Sequence, residues 1–326
     1  MKKITSMILA AAASVSMTAC SSGSPSGSDN SSGGESDTYL VGVCQLVQHV
    51  ALDAATEGFM DVLTEEFGDK VEFDEQNASG DPATCSVIVN QFVSEKVDLM
   101  LANATPALQA AASATDSIPV LGTSITEYGV ALGISDFNGT VGTNVSGTSD
   151  LAPLGQQAEM FDELLPDAKN IGILYCSAEA NSVYQAQEVK KALETLGKTV
   201  TIYTFSDSND VANVTATACN ENDALYIPTD NTAASSAEAI NNVALPAGVP
   251  IIAGEEGLCK GCGIASLSID YYELGRATGA MAVRVLKGED ISKMPIEYYQ
   301  NPVKKYNPEI CKELGIEVPS DYTAIE

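Results

Sequence analysis

The 326-residue chain contains no tryptophan and one histidine, His49, and its 16 basic residues face 44 acidic ones. Each shortage excludes something. With one imidazole, no His–Ser or His–Cys pair with an evident orienting group can be read from the sequence. No glycine-rich phosphate loop and no tightly spaced acidic metal cluster replaces it. A formal charge of −28 argues against nucleic acid, whose phosphates need a basic patch. Beyond the N-terminus no run is long and apolar enough to span a bilayer. Only one pair of cysteines is close in sequence, Cys259 and Cys262. It reads as a disulfide, as two free thiols, or as part of a metal or redox site. Zinc would need two further ligands, and there is no second CxxC. Cys44, Cys85, Cys176 and Cys219 lie in or beside apolar runs and read as small buried hydrophobes.

What is present starts at the N-terminus. Lys2 and Lys3 precede an uncharged apolar and small-residue run over 4–17, and Thr18 and Ala19 stand just before Cys20. This is a secretory signal over 1–19, and its ending resembles a bacterial lipobox. The resemblance implies cleavage before Cys20 and a diacylglyceryl group on its sulfur. A short membrane anchor is the alternative, but the run falls short of the roughly 18–20 residues a span needs. Residues 21–36 are nearly all Ser, Gly, Asp and Asn and cannot bury enough apolar surface to offset ordering entropy. With Cys20, residues 20–37 read as a flexible tether of roughly 20–25 Å reach. Losing Lys2 and Lys3 leaves 14 basic residues against 44 acidic, so the lipid, not the surface charge, must hold the chain at a membrane. The bland reading of the charge is solubility.

From residue 38 onward, short apolar runs alternate with helix-period segments. Strands are expected at 39–44, 71–74, 97–102, 119–121, 130–134, 170–175, 199–203, 224–227, 250–253 and 263–266. Helices are expected at 51–67, 83–94, 106–114, 151–165, 183–196, 210–218, 233–245 and 272–287. Apolar strands alternating with helices predict an α/β fold with parallel sheets covered on both faces. The count is too large for one sheet and divides at the Gly/Ser/Thr-rich stretch 144–150, which suits a crossover. The expectation is two Rossmann-like lobes joined by hinge crossovers near 144–150, 267–270 and once more toward the C-terminus. Lobe 1 comprises 38–147 plus 268–290, and lobe 2 comprises 148–267 plus part of 291–326. The helix at 272–287 returns to the first lobe.

Ligands of open α/β sheets bind beyond the carboxyl ends of the strands. In the first lobe those positions hold Gln45, Ala104, Thr105 and Ser124. In the second they hold Ser177, Glu179, Asn181, Ser182, Asp230, Asn231 and Glu255. Hydroxyls and helix starts suit a carboxylate, and acids suit an ammonium, so the inventory matches a small zwitterion, an amino acid being the simplest. Such residues are also ordinary turn and cap residues. Glu179 and Asp230 stand out because neither is needed as a cap where it stands. Ser177, Ser182 and Thr105 are expected to hold the carboxylate, and Glu179 or Asp230 the ammonium. His49 reads as a structural or cleft-edge residue.

Several segments carry a resemblance. They are Val43-Cys44-Gln45-Leu46-Val47-Gln48-His49 followed by Ala51-Leu52-Asp53-Ala54-Ala55, then Thr105-Pro106-Ala107, Tyr175 through Ser177-Ala178-Glu179-Ala180-Asn181-Ser182, Pro228-Thr229-Asp230-Asn231 and Asp270-Tyr271-Tyr272-Glu273-Leu274-Gly275-Arg276. Together they resemble the ABC-transporter substrate-binding lipoproteins assigned to tryptophan/tyrosine-type uptake, from residue 39 to about 288. The sequence departs from the family pattern at Cys176 and over 255–263. The resemblance implies a type I periplasmic-binding-protein fold, an aromatic amino acid in the inter-lobe cleft, a membrane permease as partner and no cofactor or catalysis. Without tryptophan, an aromatic ligand would rest on Tyr, Phe, His or aliphatic side chains. Alternatives from other classes are a receptor reporting to a membrane sensor and a hydrolase using Glu179 and Asp230 as paired carboxylates.

Overall fold

The structure, a computed structural model, describes residues 38–326; the signal, Cys20 and the tether lie outside the described residues. The chain begins by alternating strand and helix. In order these are β1 (Tyr39–Gln45), α1 (Val50–Phe67), β2 (Val71–Asn77), α2 (Pro82–Glu95), β3 (Leu99–Asn103), α3 (Thr105–Ala114), β4 (Val120–Ile125), α4 (Tyr128–Leu132) and β5 (Val145–Ser149). The same rhythm repeats through α5 (Leu154–Leu164), β6 (Asn170–Cys176), α6 (Ala180–Thr195), β7 (Thr199–Phe205), α7 (Val211–Glu221), β8 (Ala224–Ile227), α8 (Asn231–Ser235) and α9 (Ala237–Ala247). It closes with β9 (Ile251–Ala253), α10 (Glu256–Cys262) and β10 (Ala265–Ser268). The C-terminal part supplies α11 (Tyr271–Leu286), β11 (Glu297–Tyr298), β12 (Val303–Tyr306), α12 (Pro308–Leu314) and β13 (Thr323–Ala324).

Two sheets result. The first runs β2-β1-β3-β4-β5-β11 and is parallel throughout. The second runs β7-β6-β8-β9-β10-β12-β13, with β12 alone antiparallel to its neighbour β10. Strands such as β3, β4 and β8 are buried along their whole length, as a sheet covered on both faces requires. Each sheet has an apolar cluster on either side, around Phe92 and Phe59 in the first and around Phe161 and Phe205 in the second. Order 2-1-3-4-5 in both halves places a topological switch point between β1 and β3, and another between β6 and β8.

Two expectations need correcting. Residues 130–134 are not a strand: 130–132 form the end of α4 and 133–134 the turn after it. The Glu127 carboxylate caps Val130 N–H at 2.5 Å, and Gly133 ends the helix in the left-handed region; capping at both ends outweighs the β-branched residue between them. Residues 144–150 are not a crossover: 145–149 form β5, between β4 and β11. Its small polar residues are satisfied internally, Ser146 Oγ donating to Met294 O at 3.1 Å and Thr148 Oγ1 lying 2.7 Å from Thr278 Oγ1. The chain passes between the sheets just beyond, at 150–153, then at 269–270 and 299–302. Residues 148, 149 and 291–298 therefore belong with the first sheet.

α11 returns to the first lobe and lies against α1. Gly58 and Gly275 permit the close approach: a Cβ on Gly275 would stand 2.1 Å from Ala55 O, and one on Gly58 would stand 2.2 Å from Tyr272 O. All seven described cysteines are buried and unpaired. Cys259 and Cys262 sit three residues apart on α10, where side chains one turn apart are about 5–6 Å away from each other at Cβ. A disulfide needs about 3.8 Å, so the pair stands as free thiols in the core.

Candidate functional site

The two lobes meet at the carboxyl ends of their strands. His49 Nε2 lies 3.2 Å from Asn231 Oδ1, Thr126 Oγ1 3.5 Å from Thr229 Oγ1, and Gln185 Nε2 donates to Thr126 Oγ1 at 3.4 Å. Behind these contacts is a small cavity, about 10 Å³ in volume, about the room one water needs. His49, Ser124, Thr126, Asp150, Asp230 and Glu255 are among its walls. A second cavity of about 230 Å³ opens along the same seam, between Leu46, Val47 and Pro106 of the first lobe and Cys176, Glu179 and Thr232 of the second.

Four carboxylates are buried around this seam: Asp150 (5 % exposed), Glu179 (3 %), Asp230 (1 %) and Glu255 (3 %). Among the described residues no Lys or Arg lines either cavity. Burial pushes His49 below the usual imidazole range, against the opposing effects of Asn231, Glu179 and Asp53. Burial also raises Asp230, Glu255 and Asp150. Asp230 is pushed up to about 8, with the neighbouring Glu179 charge adding to the effect. Glu255 is pushed up to about 7, against the N–H groups that favour its charge, and Asp150 is raised for the same reason.

The hydrogen bonds sort these acids. Asp230 is the N-cap of α8: Oδ1 accepts from Ala233 N–H at 2.8 Å, and Oδ2 accepts from Cys176 N–H at 2.7 Å, tying β6 to α8. Glu179 Oε2 accepts from Asn231 N–H (3.0 Å) and Asn231 Nδ2 (2.6 Å), while Oε1 accepts from Thr232 N–H (2.9 Å) and Thr232 Oγ1 (2.8 Å). The expectation that neither acid serves as a cap is therefore wrong; both brace the start of α8. Glu255 caps α10 through Gly257 N–H and Leu258 N–H. Asp150 differs. Its Oδ2 accepts from the Tyr271 hydroxyl at 2.9 Å and the Thr126 hydroxyl stands beside the same carboxyl group, but Oδ1 has no partner in hydrogen-bonding geometry among the described residues. Ser124 Oγ and Asn181 Oδ1, in the same cavity wall, also lack one. Buried polar atoms are ordinarily paired, so three orphans converging on one small space mark a place where something else supplies the partners.

Strained backbone borders the same space at Ser124 (φ +56°), near the end of β4, a cost that concentrates at ligand sites; Ala104 (φ +90°), at the end of β3, is strained too but lines neither cavity.

Of the residues named from the sequence, Ser124, Asn181, Asp230, Asn231 and Glu255 line the small cavity, and Glu179 lines the larger one. Ala104 and Thr105 are buried at the start of α3 and line neither. Ser182 is buried and binds Asp230. Gln45 is held inside the first lobe, its amide donating to Asp53 Oδ1 (2.6 Å) and its carbonyl accepting from Thr56 Oγ1 (2.7 Å). Ser177 is exposed and donates to Phe205 O at 3.2 Å. Sequence reasoning missed Asp150, Thr126, Thr229 and Tyr271. Reading 144–150 as a strand would have put Asp150 at a carboxyl end.

The sequence pattern of ABC transporter substrate binding proteins matches residues 40–324. The chain belongs to this family. A tyrosine-binding protein of Clostridioides difficile (strain R20291) is 35% identical over 322 residues, 97% of this chain and 93% of that protein. Among solved structures, an ABC domain in complex with L-Trp from Streptococcus pneumonia is 35% identical. The match covers 87% of this chain and 96% of that one, with a TM-score of 0.83. A ligand-free, open substrate binding protein with adhesive properties from Clostridium difficile is 36% identical over 88% and 99%, but its TM-score is 0.67. In this chain side-chain hydrogen bonds join the two lobes across the seam. Two mostly parallel sheets flanked by helices make it a type I periplasmic binding protein in fold.

Proposed function

We propose that this protein is a lipid-anchored extracytoplasmic receptor that captures an aromatic amino acid and delivers it to the membrane permease of an ABC importer. The observation that carries the reading is the seam between the lobes, where buried acids and three unpartnered polar atoms meet with no Lys or Arg among the described residues of the cavity walls. Such a wall calls for a ligand that brings its own cation and further hydrogen-bonding groups, as an amino acid does. The names of the relatives, binding tyrosine and L-Trp, supply the aromatic side chain. The 230 Å³ cavity, with Leu46, Val47 and Pro106 facing Cys176, offers apolar walls for a ring. The lipobox-like ending at Cys20 supports the anchor. Ligand binding favours the closed over the open arrangement by hinge motion, and the permease reads the closed form. Glu179 and Asp230 each accept N–H groups at the start of α8, which gives both a structural role.

Thermal unfolding of the soluble chain starting at Ser21, measured against the twenty amino acids, tests the ligand class. A ligand at a hundred times its Kd adds about 2.7 kcal/mol, a rise of several degrees. Tyrosine, tryptophan or phenylalanine alone should produce it. A rise confined to aliphatic or acidic amino acids would remove the aromatic reading.

A further inference from the structure

We propose that Asp150, and not Glu179 or Asp230, is the residue that receives the ligand's ammonium group, and that Tyr271 is its positioning residue. The inference rests on the reading of the seam as an amino-acid site and names the group that recognises the amine.

The argument is by accounting. An ammonium donates three hydrogen bonds and accepts none, and the oxygen best placed to receive it is one that no protein donor already orients. Glu179 has four donors within 3.0 Å on its two oxygens. Asp230 accepts Ala233 N–H on one oxygen and Cys176 N–H on the other, and Glu255 accepts Gly257 N–H and Leu258 N–H in the same way, so each of these oxygens is already held by one donor. Asp150 Oδ1 is the one oxygen of these four carboxyl groups without a donor, and it lies in the wall of the small cavity. Asn181 Oδ1, an acceptor in that wall, also lacks a donor. The Ser124 hydroxyl, also unpartnered there, is able to donate to the ligand's carboxylate.

Placement in the chain gives this acid a further consequence. Asp150 opens the first passage between the lobes, at 150–153, and Tyr271 follows the second, at 269–270. The Tyr271 hydroxyl donates to Asp150 Oδ2 at 2.9 Å, so the two hinge segments are joined at the carboxylate. A cation arriving at Oδ1 completes that junction. Ligand charge is thus read where the lobes articulate, which ties recognition of the amine to closure.

The test compares each ligand with its des-amino analogue, L-tyrosine with 3-(4-hydroxyphenyl)propionate and L-tryptophan with 3-indolepropionate, by calorimetric titration of the Ser21 form. The readout is the ratio of the two affinities, which a merely structural loss does not move. Wild type should prefer the amino acid strongly. D150N should cut that preference by at least about thirtyfold, the range for truncating a buried hydrogen-bonded charge pair, and Y271F should reduce it by a smaller factor. E179Q should lower stability and keep the preference. The proposal is overturned if D150N retains the wild-type ratio, or if E179Q abolishes it while D150N does not. If no aromatic amino acid binds but another ammonium compound does, the aromatic reading falls. The same ratio for that compound and its des-amino analogue then decides the role of Asp150. If no ammonium compound binds, both fall.

Discussion

At the scale of single residues, the most informative result is that four neighbouring acids have different occupations. Glu179 illustrates the structural kind. Its carboxylate gathers the first N–H groups of α8 and the side chains of Asn231 and Thr232, fixing the loop that carries Asp230 and Asn231. Hydrogen bonds to a charged group are worth roughly 1.5–3 kcal/mol each. E179Q keeps one accepting oxygen but turns an amide donor toward donors, so a loss of about 2–4 kcal/mol in unfolding free energy is expected. Urea denaturation at pH 7 measures it. Unchanged stability would mean that the Glu179 hydrogen bonds are dispensable and would return this acid to the list of ligand contacts. The sequence made 177–182 and 228–231 legible as the rim of a site, because Ser, Glu, Asn and Asp at strand ends are visible as letters. It did not show their division of labour, because an acceptor's vacancy depends on which N–H groups the fold brings to it, and those come from residues about fifty positions away.

At the scale of elements, close backbone approach decides where α11 lies. Gly275 on α11 faces Ala55 O with no room for a Cβ, the gap being 2.1 Å. Gly275→Ala should force the helices apart and cost about 1–3 kcal/mol, the usual penalty of overpacking. Gly155, near the start of α5, has nothing within 4 Å of the same position. Gly155→Ala should therefore stabilise by roughly 0.4–1 kcal/mol through the unfolded chain's entropy and helix propensity. Thermal melts of the two variants should move in opposite directions; a shift of the same sign in both would show that helix propensity, not the α1–α11 contact, governs these sites. Most elements were legible because buried parallel strands are continuous apolar runs. β5 was not: its sequence Val-Ser-Gly-Thr-Ser has the composition of a linker. It is a strand because Ser146 and Thr148 find partners on the segment that follows α11 and on α11 itself, and no local pattern encodes those partners. Missing β5 as a strand is also why Asp150 was overlooked.

At the scale of the whole molecule, the buried acids make stability depend on pH in a direction opposite to the common one. Most carboxylates lose their native partners on protonation, so stability falls with acid. Here burial holds Asp230 and Glu255 above the ordinary carboxylate range, at about 8 and about 7. Between pH 4 and these values the folded state binds more protons than the unfolded chain, and linkage then requires stability to decrease as pH rises through that window. The contribution is fully present below about pH 4 and lost above about pH 8. The net charge of −28 acts in the same direction through self-repulsion, so the trend alone does not identify its source. E255Q separates them. Removing one charge barely alters the global field, but it deletes the titration of the capping acid. The unliganded wild type should lose stability steadily from pH 5 to pH 8.5, and E255Q should lose distinctly less over the same range, read as midpoints of denaturant unfolding at constant ionic strength. A ligand ammonium seated among these acids would oppose the same repulsion, so a saturating ligand should flatten the wild-type curve as well. Parallel curves for wild type and E255Q would place the pH dependence in the surface charge and leave Glu255 as a cap alone.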